Sequence, residues 1–266
     1  MVNIPKLTEK PILLYEVIRV IDHVPLFLED HLERLFQSAE LNNIHKLPGY
    51  DEIRGEIFNL ISDEKKVLGN IKLTFNVKNA ELPPEMELVF IPHFYPTEEK
   101  YKTGVKVGIL WAERPNPQAK IQNMELRNKA NSLMSKEKVY EVLLVDQKGY
   151  ITEGSRSNVF FVKGKQFFTS RDEEVLQGIT RKKILELCSD WEIPVIRKDI
   201  PLSDISQFEG AFLTGSSPKV LPINTIGEVN FNPGLPLIKR MIDLYDQKIN
   251  AYLEAELRKG KSGNNQ

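Results

Sequence analysis

The sequence predicts a mixed α/β protein built from two halves, and three observations carry that prediction. Helix-like and strand-like patterns of apolar residues follow one another along most of the chain. The length of 266 residues suits two ordinary domains. Near the middle, the stretch Arg114-Pro115-Asn116-Pro117 interrupts both helix and strand and is the best candidate for a linker. We therefore predict a first domain over residues 1–114, a connecting segment over 115–123 and a second domain over 124–266.

The first half contains patterns of both kinds. The run Ile12–Ile21 is rich in β-branched and apolar residues and predicts a strand. A helix is expected over Leu28–Leu41, because its apolar residues recur at spacings of three and four. The remaining predictions are a helix over 50–62 and strands over 70–77, 86–92 and 105–110.

The second half repeats this mixture. An amphipathic helix is expected over Glu125–Lys138, with Leu126, Ala130 and Leu133 on its apolar face. The polar end, Lys259–Gln266, is expected to fray. The other predictions are strands over 142–145, 159–162, 166–169, 194–197, 211–214 and 220–223, and helices over 180–189 and 235–257.

Composition excludes several classes of protein. Hydrophobic residues make up 41% and charged residues 27%, which is typical of a globular chain. The 36 basic residues balance 37 acidic ones, which argues against a broad nucleic-acid surface. The single cysteine, Cys188, cannot form an internal disulfide and is expected to be buried in a helix, which fits a reducing compartment. Because Met1–Lys10 lacks signal-peptide features and no long apolar run occurs, we expect a cytoplasmic protein without a membrane span.

The common catalytic motifs are missing from the sequence. It contains no dinucleotide-binding or phosphate-binding glycine loop, and its four histidines lack metal-ligand spacing, so we expect no metal. Two small polar loops remain. Leu176–Arg181 precedes a predicted helix, where free backbone amides and the Thr180 hydroxyl could bind an anion. Thr214–Pro218 is a similar loop after a strand, although either loop alone is also ordinary turn chemistry.

Five ordered motifs link the two loops to one family. They are Leu14–Val20, Glu29–Leu35, Glu141–Tyr150, Thr152–Phe160 and Leu176–Arg181. Together they resemble the class IV aminotransferases, the fold-type IV pyridoxal-phosphate enzymes, over about residues 12–225. That family includes branched-chain aminotransferases, D-amino-acid aminotransferases and aminodeoxychorismate lyases. The resemblance implies two mixed α/β domains with pyridoxal 5′-phosphate between them, and a homodimer.

The resemblance also implies roles for individual residues. Lys120 opens the pattern Lys-x-x-Asn and lies 33 residues before Glu153, so it matches the Schiff-base lysine; Lys129, within a predicted helix, lacks that pattern. Glu153 matches the carboxylate that pairs with the pyridine nitrogen. Tyr15 and Arg19 match positions on the substrate side, although ordinary strand positions explain them nearly as well. The other implied cofactor-binding residues are Arg34, Asn158, Leu176, Gly178, Ile179, Thr180, Ser216 and Ser217.

The implied activity is transfer of an amino group between a small amino acid, branched-chain L or D, and a 2-oxo acid through a lysine aldimine. Two alternatives stay open: a lyase that forms 4-aminobenzoate and releases pyruvate, and a binding protein that keeps the fold without catalysis. Departures from family patterns leave the substrate undecided. The stretch Ile71–Phe75 lacks the Arg and His of D-amino-acid enzymes, and Met124 replaces the tyrosine frequent in branched-chain enzymes. Lys219, at the second loop, is either a solvated charge or a partner for an acidic substrate.

Overall fold

A computed structural model describes residues 11–79 and 82–263, with side chains up to residue 259. The segment Met1–Lys10, for which no signal peptide is expected, lies outside the described residues, as do residues 264–266 of the polar end. The chain forms two compact units. The first comprises residues up to Pro92 together with Ala119–Gln122, and the second comprises His93–Gln118 together with the chain from Asn123 onward.

The first unit is an antiparallel four-stranded sheet with two helices. Its strands are β1 (Ile12–Ile21), β2 (Val24–Pro25), β3 (Leu68–Val77) and β4 (Glu85–Ile91), and its helices are α1 (Leu28–Glu40) and α2 (Tyr50–Asp63). The strand order is β2-β1-β3-β4. Because side chains alternate along β1, Leu14 and Ile18 face the apolar core with the helices, whereas Tyr15 and Arg19 lie on the other face.

The second unit is a larger mixed sheet with helices. Its elements are α3 (Glu98–Thr103), β5 (Val105–Trp111), α4 (Met124–Glu137), β6 (Glu141–Val145), β7 (Tyr150–Gly154), β8 (Asn158–Lys163), β9 (Gln166–Thr169), α5 (Ile179–Asp190), β10 (Val195–Arg197), β11 (Ile200–Pro201), β12 (Gly210–Gly215), β13 (Lys219–Ile226), β14 (Val229–Asn230) and α6 (Pro236–Gly263). The strand order is β10-β9-β8-β12-β13-β5-β6-β7-β11, with β14 paired to β13. Strand β5 is parallel to both neighbours, β13 and β6.

The two faces of this sheet carry different side chains. Val159, Phe161 and Leu213 belong to the apolar cluster on one face. By alternation, Asn158, Phe160, Phe212 and Thr214 share the opposite face, where the Phe160 and Phe212 rings stack with centroids 5.2 Å apart. Helix α5 packs against β12, and α6 packs against β12 and β13.

The predicted fold class, two mixed α/β units, is confirmed, and the structure refines its boundaries. The units divide after Pro92 rather than near residue 115, because β5 lies between β13 and β6 in the larger sheet. Helix α6 continues to Gly263, so the polar end is helical over much of its length. Cys188 is buried in α5, as expected. Within residues 11–79 and 82–263, every helix is too short or too polar to span a bilayer.

Candidate active site

Three hydrogen bonds fix the backbone of Lys120 and Gln122 within the first unit. Segment Ala119–Gln122 lies along the part of β1 that β2 does not cover. There Tyr15 N donates to Lys120 O at 3.2 Å, and Gln122 N donates to Leu13 O at 2.9 Å. Lys120 N donates to the hydroxyl of Ser38, on α1, at 3.1 Å. The predicted Schiff-base lysine therefore extends from an ordered backbone and not from a mobile linker.

The aromatic ring of Tyr15 lies beside the Lys120 amine. Lys120 Nζ is 4.7 Å from the ring centroid, which is a cation–π distance. Lys72 Nζ is 5.9 Å from the same ring and donates to Gln122 Oε1 at 3.1 Å. Thr74 pairs with Tyr15 across the sheet, and within the part of the chain that the structure describes its buried hydroxyl has no hydrogen-bond partner. The structure thus brings one predicted substrate residue, Tyr15, to the predicted catalytic lysine, on the face of β1 that also carries Arg19.

Arg34 is held by a buried carboxylate in the same unit. Its Nε and Nη2 donate to the two oxygens of Glu16 at 2.8 and 2.6 Å, and His31 Nδ1 lies 2.8 Å from Glu16 Oε2. Burial by itself raises the pKa of Glu16, but Arg34 and His31 outweigh burial and lower that pKa to about 2. Burial also lowers the pKa of His31. Glu16 therefore carries a full negative charge that orients the Arg34 guanidinium.

Glu153 is the buried carboxylate of the second unit, with 2% of its surface exposed. Its Oε1 lies 2.9 Å from Arg114 Nε as an ion pair. Its Oε2 accepts from Leu176 N at 3.2 Å and from Asn158 Nδ2 at 3.4 Å. Asn158 Nδ2 also donates to Leu176 O at 2.9 Å. Three predicted site residues thus form one network, to which Arg114 adds a charge that the sequence did not reveal.

A second carboxylate, Glu141, holds the loop that follows Glu153. It accepts from the hydroxyls of Ser155 and Ser157 at 2.6 and 3.0 Å and from Arg156 N at 3.2 Å. Ser157 Oγ also lies so close to Gly154 that a Cβ there would be 2.1 Å from it. These bonds determine where β8 starts and therefore where Asn158 lies beside Glu153. Glu141 was not among the predicted site residues.

The first anion loop ends at the N-terminus of α5. Gly178 is the N-cap residue, and no side chain caps the helix. A Cβ on Gly178 would lie 2.2 Å from Asn158 Oδ1, so the close approach of the loop to Asn158 requires glycine. The side chain of Arg181 is buried and holds the loop through Gln177 Oε1 and Ser170 O, each at 3.0 Å. The first amides of α5, at Ile179 and Thr180, therefore begin at a well-anchored point.

The second loop is the tight connection between β12 and β13, and it adjoins the first. Thr214 pairs directly with Asn158 across the sheet, and the Asn158 side chain meets Gly178. The Thr214 hydroxyl is buried and has no hydrogen-bond partner among the described residues. Ser216 and Ser217 lie in the turn. Lys219 Nζ lies 2.6 Å from Asp246 Oδ1, so this lysine has an acidic partner within the chain.

The donor set of the second unit fits the two polar ends of pyridoxal phosphate. A dianionic phosphate suits the uncapped amides of α5 together with serine and threonine hydroxyls, including the unpartnered hydroxyl of Thr214. A buried carboxylate such as Glu153 suits a protonated pyridine nitrogen, since the charge of each offsets the other. Asn158 lies between the Glu153 carboxylate and the anion loops. These two neighbouring sites suit the pyridine nitrogen and the phosphate of one ligand.

Sequence comparison identifies the family. The model of the amino-transferase class IV family matches residues 13–226. The chain belongs to the class IV aminotransferase family. A probable branched-chain-amino-acid aminotransferase of Thermotoga maritima is 29% identical over 221 residues, covering 82% of this chain and 78% of that protein. A D-alanine aminotransferase of Bacillus licheniformis is 24% identical over 236 residues, covering 84% and 81%.

Solved structures of the family share the fold of this class IV aminotransferase. A putative 4-amino-4-deoxychorismate lyase from Legionella pneumophila aligns with a TM-score of 0.80 at 21% identity, covering 88% of this chain and 90% of that one. A branched-chain amino acid aminotransferase that was solved with pyridoxamine 5′-phosphate aligns with a TM-score of 0.76 at 21% identity, covering 90% and 85%. At these identities the likeness shows the fold alone.

Proposed function

We propose that this protein is a pyridoxal-phosphate-dependent aminotransferase that moves an amino group between a small amino acid and a 2-oxo acid. The network of Glu153, Asn158 and Leu176 beside the uncapped N-terminus of α5 carries this proposal. It presents a carboxylate and an anion site of the kinds that the ring nitrogen and the phosphate of one cofactor need. The ordered backbone of Lys120 supports the same function from the first unit.

When bound, the cofactor supplies an electron sink for the bond broken at the substrate Cα. Lys120 would hold the cofactor covalently, and its amine would act as the general base that takes the proton from the substrate Cα. Glu153 keeps a proton on the pyridine nitrogen, and Arg114 holds that carboxylate in place. In the second unit, the amides of Ile179 and Thr180 and the hydroxyls of Thr180, Ser216 and Ser217 would hold the phosphate. In the first unit, Arg34 is the candidate phosphate ligand.

The first unit supplies the candidate substrate contacts. Tyr15 orients the Lys120 amine through its ring, and Arg19 lies on the same face of β1. Branched-chain amino acids and D-alanine are the substrate types named for the two sequence relatives. We take those two types as the amino donors to test first, with 2-oxoglutarate as acceptor. We also propose that the protein is cytoplasmic and forms a homodimer. Light scattering of the purified protein measures its oligomeric state.

The deciding experiment is the visible absorption spectrum of the protein with pyridoxal phosphate, titrated with D- and L-amino acids. We expect a lysine-bound band that one amino acid converts to the pyridoxamine form, which also settles the stereochemistry. Lys120→Ala should lose the band, whereas Lys129→Ala should keep it, because Lys129 is exposed and pairs with Glu125 on α4. A band that no amino acid discharges would favour the lyase, tested by pyruvate release, or the non-catalytic binding protein. No band, with Lys120 unlabelled after reduction, would refute the proposal.

A further inference from the structure

Two consecutive residues of α6 contact the two anion loops separately. The Tyr245 hydroxyl lies 3.2 Å from Thr180 Oγ1, in the first turn of α5. Asp246 Oδ1 lies 2.6 Å from Lys219 Nζ, the residue that follows the second loop. Both residues come after the segment that the family model matches, which ends at residue 226. One turn of α6 therefore fixes both loops.

The contact between Tyr245 and Thr180 favours one orientation of the Thr180 hydroxyl proton. Both residues are buried, with 2% and 3% of their surfaces exposed, so the hydrogen bond is shielded from water. Either hydroxyl can donate in that pair. If Thr180 donates its proton to an anion at the N-terminus of α5, the pair persists only when Tyr245 donates to Thr180 Oγ1. Tyr245 thus favours the arrangement in which the Thr180 proton points at the anion.

The ion pair of Asp246 acts on the second loop. Lys219 has a left-handed backbone with φ of 55°, which costs energy in a residue other than glycine. Its side chain forms an ion pair with Asp246 of α6. The carbonyl oxygen of the neighbouring Pro218 accepts a hydrogen bond from the Tyr101 hydroxyl at 3.0 Å. The turn that carries Ser216 and Ser217 is thereby tied to α6 on one side and to α3 on the other.

We propose that Tyr245 and Asp246 are positioning residues of the phosphate site, with Tyr245 directing the Thr180 hydroxyl and Asp246 holding the second loop. The inference rests on the proposed function, because it takes the anion at these loops to be the phosphate of the cofactor. It extends the site to α6, to which neither the motifs nor the resemblance assigns a role. Both residues act through others and touch no reacting atom.

The first test measures phosphate binding without the cofactor ring. Inorganic phosphate is titrated against the cofactor-free protein, and its dissociation constant is obtained from the shift in melting temperature. Tyr245→Phe should weaken phosphate binding about two- to tenfold, the range of one net hydrogen bond. Asp246→Asn should weaken it about twofold, as expected for a partly exposed ion pair. The matched controls on the same helix, Tyr252→Phe and Asp243→Asn, should bind phosphate as the wild type does.

A double-mutant cycle then tests whether Tyr245 acts through Thr180. Thr180→Val removes the hydroxyl at nearly constant shape, and adding Tyr245→Phe should cause no further loss of phosphate affinity. Equal phosphate responses in the wild type and Tyr245→Phe, including no response in either, would overturn the inference. Additive losses in the cycle would overturn the route through Thr180.

Labelling of Lys120 by pyridoxal tests the proposed function separately, in the same protein preparations. Pyridoxal, which has no phosphate, is reacted with each protein and reduced, and the labelled lysine is identified by mass spectrometry. Labelling of Lys120 should be equal in the wild type and Tyr245→Phe, because Tyr245 acts on the phosphate and not on the amine. Failure to label Lys120 in any variant counts against the proposed function, whereas equal phosphate affinities count against the role of Tyr245.

Discussion

Glu16 and Arg34 face each other through two parallel hydrogen bonds, with Nε to Oε1 at 2.8 Å and Nη2 to Oε2 at 2.6 Å. Glu16 is completely buried, and Arg34 is 6% exposed. A buried pair of this geometry is costly to break from one side, because the remaining charge has no solvent to stabilise it. The residue expected to bind phosphate is therefore part of the core of its own unit.

The Glu16 carboxylate should make the free energy of unfolding depend on pH in acid. Its pKa is about 2 in the folded protein against an ordinary value near 4.5, so its contribution is complete above about pH 5. As the pH falls from there toward 2, the wild type should lose about 3 kcal/mol from this group. Urea unfolding at several pH values measures the slope. Glu16→Gln should be less stable at neutral pH and lack this part of the slope, whereas the exposed Glu85→Gln should retain it.

Glu153→Gln should slow the chemical step without removing the lysine. The substitution keeps the shape of the side chain but removes the charge that holds a proton on the ring nitrogen. A loss of about 3 kcal/mol of charge stabilisation corresponds to about a 100-fold lower single-turnover rate. Stopped-flow absorbance with the best amino acid measures it, with the exposed Glu113→Gln as control. An unchanged rate would mean that Glu153 is only a structural partner of Arg114.

Gly178→Ala should damage the cofactor site, because the new Cβ would lie 2.2 Å from Asn158 Oδ1. Asn158 would have to leave its hydrogen bond to Leu176 O, and we expect at least a tenfold weaker affinity for pyridoxal phosphate, about the loss of one or two hydrogen bonds. Gly55→Ala is the control, because no atom lies within 4 Å of its Cβ position in α2. That control should gain up to about 1 kcal/mol in the free energy of unfolding. Unchanged cofactor affinity in Gly178→Ala would show that the Asn158 contact is dispensable.

Cys188 should report on unfolding. Burial raises the pKa of its thiol to about 12, and only the thiolate reacts rapidly with disulfide reagents. The folded protein should therefore react with such a reagent orders of magnitude more slowly than the protein in denaturant. Cys188→Ala should abolish the signal, since this is the only cysteine of the chain. Rapid labelling of the native protein would contradict the burial of α5.

The bounds of strand β1 and helix α1 were predictable to within one residue. Strand β1 covers the predicted range, and α1 ends one residue before the predicted end. Helix α3 and strand β7 were missed. Helix α3 has six residues, too few for a helical period to show, and β7 ends in Thr152-Glu153-Gly154, in which only the threonine favours a strand. Period and length decide which elements a sequence reveals.

Residues of the candidate site were predictable where they lie in family motifs. Residues outside the motifs that contact the site only in the folded chain were not. Lys120 and Tyr15, two of the predicted site residues, lie together, with the Lys120 amine 4.7 Å from the centroid of the Tyr15 ring. Arg114 lies in a stretch that looks like a linker, and its local sequence gives no sign of an ion pair to Glu153. The same holds for Tyr245, whose partner lies 65 positions away along the chain. Such contacts depend on strand order, which no local pattern encodes.

The path of the chain around Lys120 limits how this protein can be divided or recombined. The chain enters the second unit at His93, returns to the first for only Ala119–Gln122, and leaves again at Asn123. A fragment that stops at Pro92 keeps β1 but not the amine, and the complementary fragment keeps the amine without the strand that orders it. No single crossover can exchange one whole unit between relatives, so shuffled chimeras need at least three matched junctions to inherit a working lysine.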